Sequence, residues 1–79
     1  MDPTLRQQLE QVAEELHPHR EAQPTIESAH SDVRDALDTE STEGLSERMD
    51  RHAVELETSH PSISALIRTL VSELSSMGI

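Results

Sequence analysis

Met49, Leu56, Ile63, Leu70 and Met77 recur at intervals of seven through the second half of this chain. A seven-residue apolar period keeps one seam of an α-helix turned towards a partner, and a β-strand has no use for it. The material for a core is limited: the sequence has no Phe, Tyr, Trp or Cys. At 79 residues the chain is one domain, 1–79, with only aliphatic and Met side chains to bury. Fully burying one such side chain contributes about 1.5–3 kcal/mol, while ordering each residue costs on the order of 1.5 kcal/mol. Small cores of this kind need a staple or a partner. Disulfides are excluded, so a second subunit is the expected support.

Similar stripes divide the chain into helices. Asp2-Pro3 reads as an N-cap followed by a first-turn proline, and Leu5, Leu9, Val12 and Leu16 form the stripe behind it. Pro18 disfavours helical backbone at His17, which ends this helix near Leu16 or His17 and leaves Pro18 to Gln23 as loop. Ile26, Ala29, Val33 and Leu37 carry a second helix, over about 25–38. The DTESTEG run reads as a turn from which Ser41 or Thr42 caps a third helix with Leu45, Met49, Ala53 and Leu56. Glu47/Arg51, Arg51/Glu55 and Arg34/Asp38 stand four apart, a spacing that supports helix weakly, at about 0.2–0.5 kcal/mol a pair.

Pro61 leaves two arrangements open. It removes a helical donor and pushes His60 out of the helical region, which makes separate helices over about 42–58 and 61–77. The unbroken seven-residue series instead suits one bent helix over 42–77. Ser59-His60 ahead of a first-turn proline favours the break or a sharp kink. The fold class expected is therefore all-α, three to four amphipathic helices forming a hairpin or small bundle.

The final segment is the most apolar. Ile63, Leu66, Ile67, Leu70, Leu74 and Met77 cover a face wider than a two-helix seam needs, and this face is expected to form the interface of a homo-oligomer, a dimer by preference. Gly78 ends it.

Charge removes several partner classes. Sixteen acidic residues against six Arg give a formal charge of −10, the wrong sign for nucleic acid or an anionic membrane surface. No run approaches the roughly 18 apolar residues of a membrane span, and MDPTLRQQLE lacks the basic start and apolar run of a signal peptide. A cytoplasmic location is the expectation.

Chemistry-bearing residues are few. His30 and His52 fall on apolar stripes, and His60 falls between Leu56 and Ile63. Imidazoles at such positions could make packing pH-dependent, or meet in a dimer as ligands for zinc or another divalent ion. Solvated or hydrogen-bonded stripe edges are the plainer account of them and the one preferred. His17-Pro18-His19 lies at a helix end, where the dipole suffices to explain it. The acidic pairs have no walled pocket to separate their pKa values and lack the spacing of a calcium loop. Ser59-His60 is a helix junction, since neighbours on a helix diverge by about 100°. No phosphate loop occurs.

Glu57-Thr58-Ser59-His60-Pro61, then Leu66, Leu70 and Leu74, and finally Met77-Gly78-Ile79 resemble a family of short acidic bacterial proteins catalogued as a domain of unknown function. Its members typically close with S-H-P, a leucine-rich helix and M-G-I. The resemblance implies a single-domain, mostly helical protein, and carries no activity, cofactor or site residue. The function expected is a non-catalytic helical interaction or assembly module that self-associates. The alternatives are a histidine-based metal or pH sensor and an acidic decoy for a basic protein.

Overall fold

The computed structural model describes residues 1–79 as four α-helices: α1 (Pro3–Leu16), α2 (Pro24–Thr39), α3 (Leu45–Leu56) and α4 (Pro61–Ser76). Each helix packs on its neighbours in sequence, and α4 returns to α1 to close the ring. Short connections make successive helices antiparallel. The resulting bundle measures 32 × 21 × 17 Å.

Proline sets three of the four starts. Pro3, Pro24 and Pro61 each occupy the first helical position, where the missing N–H is no loss. Asp2 completes the first of these starts: its Oδ1 accepts from the Thr4 and Leu5 N–H groups at 2.7 and 3.3 Å. At Pro61 the chain breaks, because His60 adopts φ −140° and ψ 70°. The seven-residue series therefore runs across two helices, not along one seam.

Two local expectations are corrected. His17 keeps helical backbone despite Pro18, so the segment expected to be loop begins with a 3-10 turn over His17–His19. The third helix starts at Leu45 and ends at Leu56, shorter than 42–58, and neither Ser41 nor Thr42 caps it. Gly44 at φ 69° is its N-cap, and a Cβ there would meet Arg48 Nη1 at 2.9 Å.

Seventeen buried apolar side chains form one cluster spanning all four helices. Leu9, Leu16, Ile26, Leu45, Leu56 and Met49 are among those fully withdrawn from solvent. Ile67, Leu70 and Leu74, expected at an intersubunit interface, are buried in this intramolecular core. Ile63 and Leu66 pack against its edge half-exposed, and Met77 is exposed. The α4 face is wide because it serves two neighbouring helices of the same chain.

One polar side chain is buried with the core. Glu57 N–H turns to Val54 O, which leaves the Ala53 carbonyl without its helical donor. Ser64 Oγ, from α4, donates to that oxygen at 2.7 Å. Ser64→Ala should lower the unfolding free energy by about 1–3 kcal/mol, because it strands a buried acceptor. Urea denaturation would measure this, and an unchanged midpoint would mean that water replaces the hydroxyl.

Candidate functional site

The histidines are held at separate places. His60 stands at the N-cap position of α4 without a capping bond from its side chain, and its Nδ1 lies 3.2 Å from Ser59 Oγ. His52, on α3, sets Nε2 2.7 Å from Asp32 Oδ2 on α2, and Arg48 Nε lies 3.7 Å from the other carboxylate oxygen. An ionised carboxylate only accepts, so Nε2 carries the proton and the bond ties α2 to α3. An imidazole held by a carboxylate is two parts of a nucleophilic triad. The third part is missing, since His52 Nδ1 is buried with no partner.

His30 meets a residue that the sequence did not pair with it. Its ring lies 5.6 Å from that of His17, centroid to centroid and tilted by 48°. The two line an open groove between α1 and α2 with Glu10, Ala13, Glu14 and Arg34. Arg20 Nη1 lies 3.1 Å from each ring nitrogen of His17 and donates to the His17 carbonyl at 2.9 Å. Cations thus collect at this joint within an acidic chain. Burial, and then the charges of His17, Arg20 and Arg34, hold the His30 pKa below its ordinary value, against the opposing pull of Glu27. His30, His52 and His60 do not converge, and no three His, Asp or Glu side chains come together as a metal-binding group.

A second concave site lies where the helix ends meet. Beyond α4 the chain reverses at Gly78, φ 79°, with Gly78 N–H donating to Ser75 O and Ile79 N–H to Leu74 O, both at 3.0 Å. This pattern folds Ile79 back over the end of the bundle. α2 closes in the same way: Ser41 N–H donates to Ala36 O at 3.2 Å and the reversing residue is Glu40, at φ 53°. A cleft forms between these ends and the start of α1. Met1, Leu5, Met77 and Ile79 give it an apolar lining, and Asp2, Glu40 and Thr42 complete it.

The chain leaves four large apolar side chains exposed, and three of them are in this cleft: Met1 at 36 %, Met77 at 40 % and Ile79 at 43 %. Of the six expected interface residues, only Met77 takes part. No sequence signal marks the cleft, because Met1, Glu40 and Ile79 converge only through tertiary packing and two helix caps.

The chain belongs to the family described as domain of unknown function (DUF4404), whose model matches residues 2–79. Neither the curated proteins nor the solved structures gave a match. No helix is long and apolar enough to cross a membrane.

The His17–His30 joint makes a prediction about pH. Because the folded state holds His30 below the ordinary imidazole range, the unfolded chain binds that proton more readily. The stability arising at this site is complete above about pH 6.5 and is lost as the pH falls through the lower midpoint of the folded chain. His17→Gln removes one of the opposing charges, so the His30 midpoint should rise towards the ordinary value in an NMR titration of its ring protons. A midpoint indifferent to both His17→Gln and Arg20→Gln would leave burial and Arg34 as the causes of the lowering.

Proposed function

We propose that this protein is a small non-catalytic interaction module that docks another protein at the end cleft of its bundle. The observation that carries this reading is the gathering of Met1, Met77 and Ile79 in one cleft. Exposed apolar side chains scattered singly need no explanation, but a cluster rimmed by polar groups is how an interaction surface looks. The helical ends around it are fixed by the Asp2 cap and the two reversing turns, so the surface is held ready rather than assembled on binding.

Two further observations fit the reading. The central α4 stripe is engaged in the chain's own core, leaving Ile63, Leu66 and Met77 as the residues of that face available to a second protein. His52 and Asp32 are occupied with one another in the joint between α2 and α3, and His17 is in contact with Arg20 beside the 3-10 turn. Self-association through the end cleft is one form the docking could take, and absolute mass by light scattering reads it directly.

A docking surface can be altered without harm to the fold. Met77→Ser/Ile79→Ser should change the unfolding free energy by no more than about 0.5 kcal/mol per site, as exposed positions do. A combined loss of several kcal/mol in urea denaturation would make the cleft a structural closure and contradict the proposal.

A further inference from the structure

The chemistry of the cleft's occupant follows from its rim, given that the cleft is a docking surface. Two carboxylates, Asp2 and Glu40, stand beside the apolar floor, and no Lys or Arg side chain lines it. Arg6 is the neighbouring cation, and it is divided between Glu10 and Glu40 at 3.5 and 3.4 Å in exposed contacts. The chain as a whole carries −10.

Glu40 adds a separate observation. It is the one non-glycine residue with positive φ, at 53°, in the reversing position of a helix end that glycine or asparagine fills without strain. A strained residue at such a turn points to a use for its side chain. The pair with Arg6 is a weak use, since the Glu40 side chain remains 65 % exposed. What the strained turn secures is a carboxylate at the mouth of an apolar cleft.

We propose that the cleft binds a basic amphipathic segment of a different protein, with large aliphatic side chains seated against Met1, Met77 and Ile79 and a Lys or Arg reaching Glu40. A second copy of this chain is the poorer occupant. It would bring another −10 charge and, in a two-fold arrangement, set the same carboxylates against one another.

The test uses the intact protein and three synthetic helical peptides: one of leucine and lysine, one of leucine and glutamate, and one of lysine and serine. Binding is followed by calorimetry and by NMR of the Met1, Met77 and Ile79 methyl groups. The leucine–lysine peptide should bind at least about tenfold more tightly than either control and shift those methyls. Glu40→Gln should weaken it several-fold and flatten its salt dependence. Met77→Ser should weaken it about tenfold while the helicity stays unchanged.

Equal binding of the lysine–serine peptide would reduce the interaction to a non-specific attraction and overturn the proposal. So would affinity indifferent to Glu40→Gln, a failure of every peptide to bind, or a stable dimer in which the cleft methyls are already covered. If Met77→Ser/Ile79→Ser unfolds the chain, the docking reading itself falls. If those variants fold and the leucine–glutamate peptide binds as well as the leucine–lysine one, the docking surface stands and the charge preference alone is wrong.

Discussion

The structure depends on burying an aliphatic core that has no aromatic side chain to enlarge it. An aromatic residue buries 150–250 Å² or so by itself, and without one each helix must commit its whole inner face. Eight leucines carry most of that core, joined by Val12, Val33, Ile26, Ile67 and Met49. Ala13, Ala29, Ala36 and Ala53 occupy the remaining core positions, where a small side chain lets neighbouring helices approach closely. Every helix gives its apolar stripe to this core. That is why Ile67, Leu70 and Leu74 turn inward.

With the core closed, the polar groups divide by task. Ser64, His52 with Asp32, and the His17–His30–Arg20 group each stitch two neighbouring segments together at a joint. Most of the carboxylates lie on outer faces, where they are solvated. The exception is at the end of the bundle. There the Asp2 cap and the turns at Glu40 and Gly78 bring apolar and acidic side chains together at the surface.

Much of the fold was legible because its signals are local. Proline at 3, 24 and 61 marks three helix starts, and the stripes of Leu5–Leu16, Ile26–Leu37 and Leu45–Leu56 mark the buried faces. The break at Pro61 is the favoured one of the two arrangements the sequence leaves open, on the steric clash of proline with the preceding residue. What failed to appear depends on longer range. Ser41 and Thr42 are good capping types, yet the chain reverses at Glu40 and again at Gly44, so the helix starts after both. Periodicity showed that α4 has a wide apolar face but not whose side chains cover it, since an intramolecular and an intersubunit seam have the same pattern. The approach of His17 to His30 and the meeting of Met1 with Met77 and Ile79 join residues far apart in sequence, and no spacing rule connects them.

The central claim is that one chain closes its own core, leaving the end cleft as its interaction surface. Thermal unfolding followed by far-ultraviolet circular dichroism, over about a hundredfold range of protein concentration, tests it most directly. A self-contained core predicts a Tm that does not move with concentration. A Tm that climbs steadily as the protein is concentrated would mean that folding requires a second subunit, and that the α4 face is completed from outside.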